Sequence, residues 1–270
     1  MAWREPLFLT NDDGIEASGL QALIRALHER NFPIVVMAPA TEQSATSMRL
    51  SLGSNLKFEE RKDIADNLSK PDGPPLRMFS LDGTPCDCVI VAIDGGLEHW
   101  VPEMKPALCV SGINHGSNSS INVIYSGTMS AAIEASIEGV PAIGFSLLDY
   151  SWKANFEKVK SIVKKITLKA LSEGIPKGTA LNVNFPNLAE EKIKGIKVCK
   201  QANAYWIEKF DKRINPQGRE YYWLTGEFIN NDKSSESDEW ALNNGFVSVV
   251  PVKFDLTNYE AIKNLKSWNL

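Results

Sequence analysis

The sequence predicts an α/β fold built on a doubly wound, mostly parallel sheet. Apolar runs without alternation, such as Leu7-Phe8-Leu9 and Ile34-Val35-Val36-Met37, read as strands covered on both faces, and Ala142 to Leu147 reads as a fifth strand. Helical patterns lie between them, with Leu20, Leu23, Ile24 and Leu27 on one face of the first. Strand and helix signals alternate in this way to about residue 147, the pattern of a parallel sheet wrapped by helices.

The first strand runs into Thr10-Asn11-Asp12-Asp13-Gly14, a tight acidic turn, and then a helix that Ser18 and Gln21 are expected to open as a capping box. Ile34 to Pro39 is a second strand, stopped by its proline, and a polar loop follows from Ala40 to Ser47. Residues 49–60 contain alternating segments, and the charged, proline-bearing stretch 61–75 reads as an exposed loop. Leu76 to Leu81 is a third strand. Thr84, Pro85 and Asp87 then suit the N-cap, first and third positions of a helix, because Pro lacks an N–H that would be unpaired there and a carboxylate favours the positive end. That helix carries Cys88 to Ile93, apolar nearly all round, and Gly95-Gly96 weaken or end it. Pro106 to Ser111 is a fourth strand, leading into a Gly/Ser/Asn loop from Gly112 to Ser120. A helix opens at Ser126-Gly127-Thr128 and closes at Gly139 and Pro141.

Beyond about residue 150 the pattern changes, so a core of 1–150 and a smaller C-terminal part of 151–270 are expected. Residues 155–172 form an amphipathic helix, and Ala180 to Phe185 and Ile193 to Cys199 are strands. Aromatic-rich segments, Tyr205 to Lys212 and Arg219 to Leu224, flank Asn215-Pro216-Gln217-Gly218 and read as a hairpin spanning about 203–226. Its aromatics suit packing or a subunit contact. Residues 230–238 read as polar and mobile. Phe246 to Val252 is a late strand, and Tyr259 to Trp268 a last helix.

Composition bounds the function. Of 270 residues, 29 are Lys or Arg and 33 Asp or Glu, a net charge of −4 that gives no broad attraction for a nucleic-acid polymer or a membrane surface. Met-Ala-Trp-Arg-Glu-Pro has no apolar signal-peptide core, and no apolar run is long enough to span a bilayer. Cysteines at 86, 88, 109 and 199 form no Cys-x-x-Cys pair and suit buried thiols in a reducing cytoplasm. Histidines at 28, 99 and 115 lack the spacing of zinc ligands.

Loops that follow parallel strands meet on one edge of the sheet, where ligands bind. Here they bring Asp12 and Asp13, Ser44 and Ser47, and Asn114 and Asn118. Two adjacent carboxylates repel, and a bound cation is one way to keep both ionised; a turn of helix-breaking polar residues is the plainer alternative. Carboxylate, hydroxyl and amide oxygens suit Mg²⁺ or Mn²⁺. The free N–H groups and positive dipole end at Ser126-Gly127-Thr128 suit phosphate. Together these are the parts of a metal-assisted phosphoester hydrolase. Gly112, Gly116 and Gly127 also fit turns alone, Ser44 a helix cap, Asp82 and Asp87 turn and cap roles, and His115 a peripheral contact.

Several spaced segments carry a resemblance. Leu9 to Ile15, Ala38-Pro39 with Ser44-Ala45-Thr46-Ser47, Gly83 to Val89, Val110 to Asn118, Val123 to Thr128, Ser237 to Leu242 and Gly245 to Pro251 resemble the SurE family of survival proteins, which are 5′-nucleotidases. The resemblance implies a Rossmann-like core, a C-terminal extended hairpin and arm that build homodimers or homotetramers, and hydrolysis of nucleoside 5′-monophosphates. It also implies one divalent metal ion per subunit, held by Asp12, Asp13, Ser44 and Asn114; Asp12 and Asp13 are the expected catalytic residues through that metal, with no general base assigned. Asn118, Ser126, Gly127 and Thr128 are the expected phosphate contacts. The chain departs from the usual pattern at Ser120, where glycine is usual, and at Asn122, where aspartate is usual.

The aspartyl-phosphate phosphatases want Asp-x-Asp, with the nucleophile two residues before the acid, and this chain has adjacent aspartates. A non-enzymatic metal and nucleotide sensor, or a phosphatase that also takes 3′-nucleotides or polyphosphate, are the other readings.

Overall fold

A computed structural model describes residues 5–28, 32–94, 97, 101, 105–151 and 153–268. Met1 to Arg4, the Gly95-Gly96 helix end and His99 lie outside the described residues. The elements run β1 (Leu7–Thr10), α1 (Ser18–His28), β2 (Ile34–Pro39), β3 (Phe58–Glu60), α2 (Lys62–Leu68), β4 (Leu76–Leu81), α3 (Pro85–Ile93) and β5 (Leu108–His115). They continue with α4 (Gly127–Ile137), β6 (Ala142–Leu147), α5 (Lys160–Glu173), β7 (Thr179–Phe185), β8 (Gly195–Val198), β9 (Ala204–Ile214), β10 (Glu220–Asn230), α6 (Asp238–Asn243), β11 (Phe246–Lys253) and α7 (Tyr259–Leu265).

One sheet has the order β3-β4-β2-β1-β5-β6-β7-β11-β8. Neighbours from β4 to β7 pair in parallel. β3 and β11 are antiparallel to β4 and β7, and β8 is parallel to β11. The chain winds outward from β1 through β2 to β4, then returns to the other side of β1 and winds through β5 and β6 to β7. β1 and β5 therefore flank the point where the winding reverses, and a crevice opens at their carboxyl ends.

The lack of alternation in β1 now has its explanation. Leu7 and Leu9 pack with Leu20, Leu23, Ile24 and Leu27 of α1 on one face, while Phe8 packs with Cys88 and Val89 of α3 and Met129 of α4 on the other. Burying a side chain of this size stabilises by roughly 1.5–3 kcal/mol, so a strand with both faces covered gains from every residue.

Several sequence expectations are corrected. Residues 61–75 are not wholly loop, because α2 forms over Lys62–Leu68 and leans Ala65, Ile64 and Leu68 on the core. Ser18 is already the first residue of α1, and Gln21 turns its amide onto the Glu16 carbonyl (3.1 Å), so no Ser18–Gln21 capping box forms; a turn closed by Ala17 N–H onto the Gly14 carbonyl (3.1 Å) leads in instead. The fourth strand runs on to His115, through the stretch expected to be loop, with its ladder offset between Ser111 and Asn114. Asp238 is fully buried and accepts from the N–H groups of Ser120 (2.8 Å) and Ala202 (2.9 Å), so the end of the stretch 230–238 is anchored. The Thr84–Asp87 capping box forms as expected, with Pro85 at the first position.

β9 and β10 stand apart as a two-stranded sheet, paired from Ala204↔Asn230 to Ile214↔Glu220. Its turn is closed by Asn215, whose Oδ1 accepts from Gln217 N–H (3.0 Å) and Arg219 N–H (2.9 Å). No helix among the described residues is long and apolar enough to cross a membrane.

Candidate active site

The acidic turn leaves β1 at the crevice. Gly14 takes φ +101°, and Ile15 N–H donates to the Pro39 carbonyl (2.9 Å), so the turn is locked against the end of β2. Asp12 is buried, and its Oδ1 accepts from the Thr128 hydroxyl. Its backbone carbonyl accepts from Gln43 N–H (2.7 Å), which ties the loop after β2 to the turn. Asp13 Oδ2 accepts from His115 N–H (3.3 Å) at the end of β5.

Burial pushes the Asp12 carboxyl upward. Asp13 is pushed up to about 7, first by burial and then by the neighbouring Asp12 charge, with Glu42 adding to it. Glu42 is thus a third carboxylate near the turn, one that the sequence reading passed over; its position two residues before Ser44 was the available signal. In this pocket of like charge a proton or a cation restores balance.

A cleft of about 300 Å³ opens here, lined among others by Asp12, Ser44, Asn114, Asn118 and Ser126. Ser44 Oγ donates to Glu42 Oε1 (2.7 Å), so its lone pairs stay available. Asn114 Nδ2 donates to the Gly116 carbonyl (3.0 Å), which leaves Oδ1 as its free acceptor. Ser47 is engaged elsewhere: its hydroxyl donates to the Ile124 carbonyl (2.7 Å). Among the described residues no three His, Cys, Asp or Glu side chains form a metal-binding group. Of the expected donors, Asp12, Ser44 and Asn114 line the cleft and Asp13 stands beside it on His115 N–H; carboxylate, hydroxyl and amide oxygens are a hard set that would suit Mg²⁺ or Mn²⁺.

The N-terminus of α4 closes the cleft. Ser126 caps it, accepting from Met129 N–H (3.0 Å). A Cβ on Gly127 would lie 2.7 Å from Asp12 Cβ, so only glycine lets the helix end approach the carboxylate this closely. Thr128 turns both its hydroxyl and its backbone N–H to the Asp12 carboxyl, so this expected phosphate contact braces the carboxylate instead of presenting a free N–H. Asn118 is held by a buried polar network: its N–H donates to Asn184 Oδ1 (2.9 Å), its Nδ2 to Ser146 Oγ (2.8 Å), and its carbonyl accepts from Asn182 Nδ2 (2.8 Å). The sequence reading missed Asn182, Asn184 and Ser146. The signal was present in Leu181-Asn182-Val183-Asn184-Phe185, where buried polar residues interrupt an otherwise apolar strand.

His115 Nε2 lies 2.6 Å from the Ser151 carbonyl, and the imidazole edges the cleft. Asp82 N–H donates to the Lys57 carbonyl (2.8 Å), just past the β3–β4 pairing, and Asp87 caps α3. All four cysteines are buried and free.

The model of a family described as Survival protein SurE matches residues 7–208. The chain is 54% identical over 267 residues, 98% of each chain, to a protein of Flavobacterium psychrophilum named 5′-nucleotidase SurE. It is 48% identical to a protein of the same name from Cytophaga hutchinsonii, over 98% of this chain and 97% of that one. It superposes on the crystal structure of the SurE protein from Aquifex aeolicus with a TM-score of 0.79 and 37% identity, covering 98% of this chain and 100% of the other. The sheet order, the cleft at its switch point and a family match over most of the length lead to one assignment: the chain belongs to the SurE family.

Proposed function

We propose that the chain is a metal-dependent phosphatase that hydrolyses nucleoside 5′-monophosphates to nucleoside and phosphate. The carrying observation is the convergence of Asp12, Ser44 and Asn114 on one cleft, beside the α4 N-terminus. Relatives over the full length bear the name 5′-nucleotidase SurE, which supports the substrate class.

Asp12, Asp13, Ser44 and Asn114 would hold one divalent cation, Mg²⁺ or Mn²⁺. When bound, it supplies Lewis-acid polarisation of the phosphate and lowers the pKa of a nearby water. Asp12 and Asp13 carry the catalytic charge, and Thr128 fixes Asp12 through its hydroxyl. The backbone N–H of Gly127 takes a phosphate oxygen at the positive end of α4, while Thr128 gives its own N–H to Asp12. The Ser126 hydroxyl accepts from Met129 but keeps its own proton to donate, and Asn118 Nδ2 keeps a second N–H beyond the one given to Ser146. Such fixed donors are strongest as charge builds in the transition state.

The chemistry falls to residues 1–150. The part from 151 to 270 supplies the hairpin and arm, through which the chain forms a homodimer or homotetramer, and the buried free thiols suit a cytoplasmic setting. The test is phosphate release from a panel of nucleoside 5′- and 3′-monophosphates with Mg²⁺, Mn²⁺ or chelator. Release from 5′-monophosphates that chelator abolishes is expected. No release from any nucleotide with either metal would sink the enzyme and leave the sensor.

A further inference from the structure

Of the hairpin's aromatic residues, Trp206 reaches back to the cleft. The cleft grades in depth: Asp12 is 4% exposed, whereas Trp206 is 40% and Tyr150 71% exposed. A monophosphate whose phosphate sits at the α4 N-terminus, deep in the cleft, would therefore leave its base at an aromatic mouth.

The indole is held there. Trp206 Nε1–H donates to Asn122 Oδ1 (2.8 Å), and the ring leans on Phe228 with centroids 5.4 Å apart at 57°. A Cβ on Gly226, across the hairpin, would come within 3.3 Å of Trp206 Cε3, so the cross-strand position is kept clear for the ring. With its one donor engaged, the indole has only a π surface to offer a ligand. On the same cleft, the Tyr150 ring covers Gly116, where a Cβ would lie 2.7 Å from it, and its hydroxyl accepts from Ser117 N–H (3.1 Å).

We infer that Trp206 is the base-binding wall of the site, stacking the nucleobase of the substrate at a mouth that Tyr150 also lines. This rests on the nucleotidase reading above. Recognition by a π face discriminates bases by stacking area rather than by hydrogen-bond pattern, so purines are favoured and adenine and guanine are treated alike. It also makes the hairpin part of the site, since the wall is carried on β9 and held by Asn122.

The test compares kcat/KM for AMP and for ribose 5-phosphate, which has no base, in wild type, Trp206→Ala and Trp206→Phe. Stacking predicts that the AMP to ribose 5-phosphate ratio falls on the order of tenfold in Trp206→Ala, mostly through KM, and is largely recovered in Trp206→Phe. A purely structural tryptophan lowers both substrates together and leaves the ratio at its wild-type value, which overturns the inference. Adenosine binding by calorimetry is measured on the same proteins. If wild type hydrolyses neither substrate, the nucleotidase reading fails and adenosine decides alone. Tenfold weaker binding in Trp206→Ala then supports the wall, and unchanged or absent binding overturns it.

Discussion

β1 and the β9–β10 hairpin both carry large apolar and aromatic side chains, and these end in opposite surroundings. Every residue of β1 is buried, whereas along β9 only Ala204 is. β1 finds α1 on one face and α3 and α4 on the other, all from its own chain. The hairpin pairs only with itself, and a lone two-stranded ribbon gains little from burial in water. Its cross-strand ion pairs, Lys209–Glu227 and Lys212–Glu220, are solvent-exposed and contribute at most about 1 kcal/mol each. The polar groups are inverted too, since Asp12, Asn118 and Thr128 are buried while Phe210 and Trp223 are not. A buried polar group and an exposed large apolar side chain are the two informative departures from the usual distribution of residues between core and surface.

The sharpest way to break this contrast is at the buried carboxylate. Asp12→Asn keeps size and removes one charge, so turnover should fall on the order of a hundredfold or more, the scale of one lost strong electrostatic contact. Metal affinity should weaken with it. The metal-free melting temperature should not fall, because carboxylate repulsion with Asp13 is relieved. Wild-type turnover in a variant that melts no lower would refute the site.

A second effect is expected in pH. The folded pKa of Asp13, about 7, lies above its ordinary 3.8, so the folded chain holds more protons than the unfolded one between those values. The associated stability is fully present below about pH 4 and is lost as pH rises through about 7. Asp12 is shifted in the same direction. In chelator, thermal melting should therefore weaken across that window, and Mg²⁺ or Mn²⁺ should restore the upper end. Asp13→Asn should flatten the slope, and a slope unchanged in that variant would place the titration elsewhere.

On the hairpin side, Phe210 and Leu224 face each other across the strands and are 69% and 65% exposed. Replacing both with Ser should leave the stability of the single chain within about 0.5 kcal/mol, as for other exposed positions. If the hairpin joins subunits, light scattering should drop from a multiple of 29.9 kDa toward that mass. A wild type already at 29.9 kDa would remove the subunit contact from the hairpin's explanation.

The smallest effect tests the seam between the two regions. Ser120 sits at φ +52°, a conformation that costs a side chain roughly 1–2 kcal/mol, which accounts for a glycine being at home there. Its hydroxyl donates to the Ala202 carbonyl (2.9 Å) at the foot of the hairpin, a bond worth about 1 kcal/mol. Ser120→Gly trades one against the other, and the net change should stay within about 1 kcal/mol by denaturant unfolding. A loss well beyond that would show that the hydroxyl holds the site loop to the hairpin.

The sequence by itself determined the doubly wound core, since unbroken apolar runs such as Leu7-Phe8-Leu9 are stable only with both faces covered. It determined the α3 start as well, because the Thr84, Pro85 and Asp87 signals act over three residues and need no distant partner. It placed Asp12, Asp13, Ser44, Ser47, Asn114 and Asn118 in loops after strands, which a parallel sheet must bring to one edge. What it left open depends on contacts between residues far apart in the chain. The ladder of β6 carries β5 onward through Gly112, whose Cβ position lies 2.4 Å from the Phe145 carbonyl, where the local Gly/Ser/Asn composition reads as loop. Asn182 and Asn184 reach Asn118 across the sheet. Only the tertiary structure decided that Trp206, one aromatic among many in the hairpin, lies at the cleft, because its position is set by Asn122, 84 residues away, and by no pattern in its own strand.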